Sequence, residues 1–178
     1  PPASDPLYNA LLASLPTNVS NPTDWSACEL AAVRLLAQEA QPWPGLEDST
    51  KMQRLTTLRA VLAERATAYL NQRRDAALAL YQADKDGAVE REHLAQLTSQ
   101  TPQLKSLLAA GQAEALRRVD AARNAYAVRG TLAGLPTRIA QTESGDDLCA
   151  LVTAFLKLEA TPGVTLTAAQ IAPVEKAF

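Results

Sequence analysis

Apolar residues recur at steps of three, four and seven positions along most of this chain, the spacing of one face of an α-helix. The two longest patterns run over Thr50–Ala83 and Pro102–Arg129. The first would be about 50 Å long as a single helix, and a hinge near Asn71–Arg74 is one way to accommodate that length. Gly130 is well placed to cap the C-terminal end of the second. The pattern therefore predicts two long helices.

The apolar positions within the long helices indicate their buried faces. They are Met52, Leu55, Leu58, Leu62, Ala66, Tyr69, Ala76 and Leu80 in the first helix, and Leu104, Leu107, Leu108, Ala115, Val119, Ala122 and Tyr126 in the second.

Start signals followed by apolar stripes indicate shorter helices. Asp5 can cap a helix and Pro6 suits its first turn, which predicts a helix over Pro6–Leu15. Further helices are predicted over Val89–Leu97, Asp146–Ala160 and Thr167–Phe178. The apolar positions of the Asp146–Ala160 helix are Leu148, Leu151, Val152, Phe155, Leu156 and Leu158.

One more helix begins between Pro22 and Ala27. Asn21 before Pro22 is one possible start, and a capping box of Ser26 with Glu29 is another. Its predicted buried stripe is Trp25, Leu30, Val33, Leu36 and Ala37.

These elements predict an all-α protein, an irregular bundle of five to seven helices with the two long ones as an antiparallel spine. A length of 178 residues suits a single domain over 1–178. Within it, 1–22 form a short helix and linker, 23–160 the main bundle, and 161–178 a C-terminal helix that leads into a further domain. Because the chain begins at Pro1 and ends within a helical pattern, we expect a piece of a larger protein.

The net charge of −2 excludes a strong global attraction to nucleic acid or membranes. The distribution is uneven, since Thr50–Ala83 holds six basic residues against two acidic ones and Pro102–Arg129 holds five against two. We favour pairing of the acidic short helices with the basic long ones at their rims. The alternative is a basic face for an acidic partner, with candidate contacts Arg73, Arg74, Arg117 and Arg118.

Trp43 is a further candidate partner contact. It lies between two prolines in the non-helical stretch Gln41–Glu47. An exposed indole there could anchor a partner. The favoured alternative is that the ring folds back to close the end of the bundle.

The two cysteines, Cys28 and Cys149, each lie in an apolar helical stretch and are expected to be buried free thiols. Two cysteines far apart in sequence do not establish a disulfide, so the redox compartment stays open. No apolar stretch reaches the length of a membrane span, and no signal peptide opens this piece. The localisation is therefore not indicated beyond a soluble protein.

Asp84-Lys85-Asp86-Gly87 resembles part of an EF-hand calcium loop, which needs oxygen ligands around a central glycine. With Gly87 at the sixth position, the first and last ligand positions fall on Gln82 and His93, which do not fit. We interpret the stretch as an interhelical turn. One histidine and two separate cysteines also give no zinc-site spacing, so no metal or cofactor is expected.

Two further residues are candidates for catalytic groups. His93 is the only histidine, and without a neighbouring Lys and Gly it does not fit a phosphotransfer helix; we interpret it as a surface or rim residue. Glu143-Ser144-Gly145 matches a short start seen in some lysozyme-like transglycosylases, but Ser144 capping a helix with Asp147 explains it more simply.

The predicted function is a non-enzymatic protein–protein interaction or scaffolding domain, with another protein as its partner. A secreted bacterial effector or an assembly component fits the composition. One alternative is a helical hydrolase of carbohydrate or peptidoglycan that uses Glu143, although no catalytic residue is assigned and an enzyme is not favoured. The other is a binder of nucleic acid or an acidic partner through the basic helices; a small-molecule substrate is not expected.

Overall fold

The computed structural model describes residues 5–99 and 102–178, without the side chains of residues 98, 99 and 109. Over these residues the fold is all-helical, as predicted, and they contain no strand. The helices are α1 (Pro6–Ser14), α2 (Pro22–Ala37), α3 (Asp48–Gln82), α4 (Ala88–Ser99), α5 (Pro102–Ala140), α6 (Gly145–Glu159) and α7 (Ala168–Glu175).

Side-chain caps fix the starts of the first two helices. The Asp5 carboxylate accepts hydrogen bonds from the backbone N–H groups at the start of α1. The Asn21 amide oxygen accepts from the Asp24 N–H at 3.0 Å. α2 therefore begins at Pro22, and the alternative start at Ser26 is wrong.

The two long helices differ from their prediction in continuity and length. α3 is an unbroken helix of 35 residues, without a hinge at Asn71–Arg74. α5 continues past Gly130 and through Pro136 to Ala140, for 39 residues. A proline inside a helix costs about 3 kcal/mol. Burial around Pro136 offsets this cost, because Leu132, Leu135 and Ile139 all belong to an apolar core.

The chain divides into two compact units. The first comprises Pro1–Ala76 and Val89–Leu116, and the second comprises Ala77–Ala88 and Arg117–Phe178. α3 and α5 each contribute residues to both units. The single domain over 1–178, with its subdivision into 1–22, 23–160 and 161–178, stays a prediction.

The first unit buries side chains from α2, α3, α4 and α5. Most of the predicted buried face of α3 is buried, but Met52 is 41% exposed and Ala76 is exposed. The buried apolar residues of α3 in this unit are Leu55, Leu58, Leu62, Ala66, Tyr69 and Leu70.

The second unit has its own core, formed by the C-terminal part of α5 with α6 and α7. Its buried members are Val128, Leu132, Leu135, Ile139, Leu151, Phe155 and Val174. Three predicted core positions of α6 are exposed instead: Leu148 at 37%, Val152 at 36% and Leu156 at 56%.

Candidate interaction surface

The outer face of α2 carries three large apolar side chains in contact with solvent. Leu30 is 60% exposed, Val33 44% and Leu36 48%. Their spacing of three places them on successive turns of one side of the helix. We call these three residues the α2 outer face.

The opposite side of α2 is buried, and it is built mainly from smaller residues. Its buried members are Trp25, Cys28, Ala31, Ala32 and Leu35. Small side chains let a helix approach its neighbours closely, so this side is the one that packs. The predicted stripe was therefore right only at Trp25, since its other members, Leu30, Val33, Leu36 and Ala37, are exposed.

A groove of about 190 Å³ lies beside the α2 outer face, within the first unit. Its apolar walls include Leu36 of α2 and Leu107 of α5. Arg59 and Glu39, which form an ion pair, also line it. The groove extends the apolar outer face into a concave surface with a polar rim.

Both ends of α2 are held in place. At its start, the Asp24 carboxylate accepts from the Ser20 backbone N–H at 2.9 Å and from the Ser20 hydroxyl at 3.0 Å. These hydrogen bonds to Ser20, backbone first, hold the pKa of Asp24 below its ordinary value. Beyond its end, the Lys51 ammonium donates to the carbonyls of Glu39 at 3.0 Å and Gln41 at 3.3 Å. The α2 outer face therefore lies on a helix that is already ordered, so binding of a partner loses less conformational entropy.

The two cysteines lie in different surroundings, and both are free thiols. Cys28 is fully buried on the inner side of α2, and burial, aided by the negative charge of Asp24, raises its thiol pKa to about 11. Cys149 is exposed, so the expectation that it is buried was wrong. It lies on the same helix as the exposed Leu148, Val152 and Leu156.

Trp43 is 4% exposed and belongs to the buried residues. This geometry agrees with the favoured interpretation, in which the ring folds back, and leaves little indole surface for a partner. Its indole Nε1 is buried without a hydrogen-bond acceptor among the described residues. Contact with a partner stays a prediction for Trp43.

The structure places the predicted arginines Arg73 and Arg74 in the first unit and Arg117 and Arg118 in the second. The Arg73 guanidinium donates to Glu90 at 3.0 Å. Arg74 is engaged with its neighbours Asp75 and Asn71 on the same helix, each at 2.8 Å. Carboxylates of this chain therefore compensate the charges of Arg73 and Arg74, while Arg117 and Arg118 are exposed.

The loop that resembles a calcium site uses its carboxylates to shape the chain. Asp84 accepts from Arg129, and Asp86 accepts from the Ala88 N–H at the start of α4 at 2.9 Å. Among the described residues, no group of three or more His, Cys, Asp or Glu could hold a metal ion. Likewise, no helix within residues 5–99 and 102–178 is both long and apolar enough to cross a membrane.

The two residues weighed as catalytic groups lie in different units. Glu143 is exposed at an open depression that Arg138 and Asp147 also line. A general acid of the transglycosylase type needs apolar surroundings, which an exposed carboxyl lacks. His93 is exposed on α4 and lines a small cavity.

No family model, no curated protein and no solved structure matches this chain. Its function is therefore inferred from the geometry of its own residues. Sequence periodicity missed the α2 outer face because it assigned the largest side chains to the core. The signal that could have identified this face was a second apolar side on the same helix, at Cys28, Ala31, Ala32 and Leu35.

Proposed function

We propose that this chain is a non-enzymatic protein-interaction domain that binds an amphipathic helix of a partner protein along the α2 outer face. The observation that carries the proposal is the exposure of Leu30, Val33 and Leu36 on one side of a helix whose other side is buried. Apolar anchors on successive turns are the way in which helices recognise one another. Antiparallel packing of α3 and α5 as a spine, in a bundle of five to seven helices, belongs to the same proposal.

The magnitudes favour an occupant that covers the groove as well as the helix. Leu30, Val33 and Leu36 are 44–60% exposed, so burying their remaining surface contributes about half of the full value for three such side chains, about 2–5 kcal/mol in total. Association itself costs about 4–15 kcal/mol in lost freedom. The outer face alone is therefore marginal, and a partner side chain placed between Leu36 and Leu107 supplies the remainder.

Two other functions receive less support from the geometry. A hydrolase that uses Glu143 would need an enclosed acid, and this residue is exposed. A basic surface for nucleic acid or an acidic partner would need free cations, and Arg73 and Arg74 are paired internally. The role of a secreted bacterial effector or assembly component rests on composition alone and stays a prediction.

Site-specific photo-crosslinking tests the proposal directly. A photoreactive p-benzoylphenylalanine is placed at Val33 in one variant and at Val152, which is also exposed but lies on α6, in another. The expected result is a crosslink from position 33 to one amphipathic helical segment, which mass spectrometry then identifies. Crosslinking only from position 152 would contradict the assignment to α2.

The identified segment is then made as a peptide, and its affinity is measured by calorimetry. Leu30→Glu should weaken binding by ~30-fold or more, because a charge replaces a buried anchor. Leu156→Glu is the matched control, since Leu156 is 56% exposed against 60% for Leu30, and it should leave affinity unchanged. Equal losses in both variants would refute binding through α2. A crosslink to a second copy of the chain would replace the foreign partner with self-association.

A further inference from the structure

A row of exposed apolar side chains also lies on α6, in the second unit. Leu148 is 37% exposed, Val152 36% and Leu156 56%. Their spacing of four residues places them within about 80° of one another around the helix axis. We call these three residues the α6 outer face.

The inner side of α6 is already packed within the second unit. Leu151 and Phe155 belong to its core, and the ring centroid of Phe178 lies 6.4 Å from that of Phe155. Phe178 is itself 49% exposed, so it widens the apolar surface along one edge of α6. The α6 outer face is therefore apolar surface that the core of its own unit does not use.

The α6 outer face has the same spacing of apolar side chains in both chain directions. Leu148 precedes Val152 by four residues, and Leu156 follows it by four. An interface between two identical copies related by a two-fold axis must be complementary to itself. An antiparallel pair of α6 helices centred on Val152 meets this condition, because Leu148 of each copy then faces Leu156 of the other.

The charges beside this face also favour an antiparallel pair. Asp146 lies in the first turn of α6 and Lys157 in the last, and both are exposed. Because they are eleven positions apart, they lie on the same flank of the helix, within about 20° of each other. Antiparallel pairing sets Asp146 of one copy beside Lys157 of the other. A parallel pair would instead place like charges together and align the two helix dipoles.

We propose that two copies of this chain form a two-fold dimer in which their α6 outer faces pack in antiparallel orientation. Val152 lies on the two-fold axis, and Leu148 and Leu156 pack across it. Asp146 pairs with Lys157 of the other copy on each side of the axis. This association uses a different helix from the partner helix that binds α2.

The size of the face indicates a weak dimer. α6 has 15 residues and is therefore about 22 Å long. One pair of helices of this length buries less than the ~1,600 Å² of a standard protein–protein interface. We therefore expect a dissociation constant on the order of 0.1 mM.

Sedimentation equilibrium of the full chain under reducing conditions measures the association. Val152→Glu should weaken it by ~10-fold or more, because two carboxylates would meet at the two-fold axis. Leu30→Glu is the matched control, since Leu30 is an exposed apolar residue of α2, and it should leave the dimer unchanged. A chain that remains monomeric at ~1 mM would overturn the proposal. Disruption of the dimer by Leu30→Glu but not by Val152→Glu would also overturn it.

Charge reversal tests the antiparallel orientation. Asp146→Lys should weaken the dimer by about 3-fold or more, because the new lysine faces Lys157 of the other copy. Adding Lys157→Asp to the same chain should restore the affinity. In a parallel dimer the double variant would still place like charges together, so a failure to restore affinity would refute the antiparallel orientation.

Disulfide formation tests the register even if Val152→Glu proves unstable. In the proposed dimer the two residues at position 152 face each other, whereas the two Cys149 residues are offset by about 9 Å along the helices. That offset exceeds the reach of a disulfide. Oxidised glutathione should therefore give a covalent dimer of Cys149→Ser/Val152→Cys, but little from the natural chain, although its Cys149 is exposed. Covalent dimers that form through Cys149 as fast as through position 152 would refute this register.

Discussion

Arg129 and Asp84 are joined by a hydrogen bond of 2.9 Å between the guanidinium Nε and a carboxylate oxygen. The same guanidinium donates to the Tyr81 carbonyl near the end of α3 at 2.7 Å. Asp84 has a φ of +53°, which non-glycine residues adopt rarely and Asp tolerates better than most. Arg129 thus stabilises both the end of α3 and the left-handed backbone conformation of Asp84.

We expect Arg129→Ala to lower the free energy of unfolding by about 1–2 kcal/mol, because the Tyr81 carbonyl loses a charged donor. Asp84→Asn should cost below about 0.5 kcal/mol, since Asp84 is 70% exposed in its side chain and Asn also tolerates a positive φ. Urea denaturation of both variants measures the difference. Equal effects would mean that the ion pair, rather than the bond to Tyr81, stabilises the turn.

Two glycines should respond to alanine in opposite ways. At Gly87 an added Cβ would lie 2.9 Å from the Tyr81 ring and 3.1 Å from the Ala77 carbonyl oxygen. Gly87→Ala should therefore destabilise the protein by about 1–3 kcal/mol through overpacking. Gly130 lies inside α5 with nothing within 4 Å of an added Cβ, and Gly130→Ala should stabilise by about 0.5–1 kcal/mol. Thermal denaturation followed by circular dichroism reports both, and a loss of stability at position 130 would contradict its helical interior position.

Lys51 is 7% exposed, and its two carbonyl acceptors follow the end of α2. Lys51→Met keeps much of the packing but removes the donor, and should cost about 1.5–3 kcal/mol in unfolding free energy. Asp48, which forms the exposed end of an ion pair with Lys51, serves as the control, and Asp48→Asn should cost below about 1 kcal/mol. Chemical denaturation distinguishes the two. If Lys51→Met were neutral, the hydrogen bonds to the carbonyls would not stabilise the fold.

The two thiols should differ in reactivity. At pH 8 iodoacetamide should modify Cys149 within minutes and leave Cys28 protected, because the attacking species is the thiolate and burial raises the Cys28 pKa to about 11. Peptide mass spectrometry identifies the modified residue, and in denaturant both should react. Modification of Cys28 in the native protein at the rate of Cys149 would contradict its burial.

The raised Cys28 pKa also gives a pH dependence. In the unfolded chain a thiol ionises near its ordinary pKa of 9.0, whereas the folded protein retains the proton up to about 11. The unfolded state therefore binds fewer protons in this interval, and stability should fall as pH rises from about 9 to 11. Cys28→Ala should flatten this part of the stability profile, and Cys149→Ala should not.

The sequence predicted where helices form more reliably than which side of a helix is buried. Asp5-Pro6 identified the start of α1, and Asn21-Pro22 was one of two possible starts for α2, because capping is a local interaction. The buried side of α2 could not be identified, because both of its sides are apolar and only tertiary packing selects the smaller one. The extension of α5 through Pro136 was missed for a related reason, since it depends on a core shared with α6 and α7.

The candidate surface was less predictable than the fold. Apolar periodicity indicates that a face can be buried, but it does not indicate whether the chain itself supplies the covering element. Leu30, Val33 and Leu36 were recognised as one stripe and assigned to the wrong environment. Arg73 was identified by its charge, yet its pairing with Glu90 depends on the position of α4 relative to α3.

Both tryptophans, Trp25 and Trp43, lie in the first compact unit, while the aromatic residues of the second are tyrosine and phenylalanine only. Intrinsic indole fluorescence is thus a spectroscopic label for half of the molecule, whereas far-ultraviolet circular dichroism records helices in both halves. Superimposable melting curves from the two signals would mean that the halves unfold as one cooperative entity. Separated curves would assign each transition to its half without any added dye.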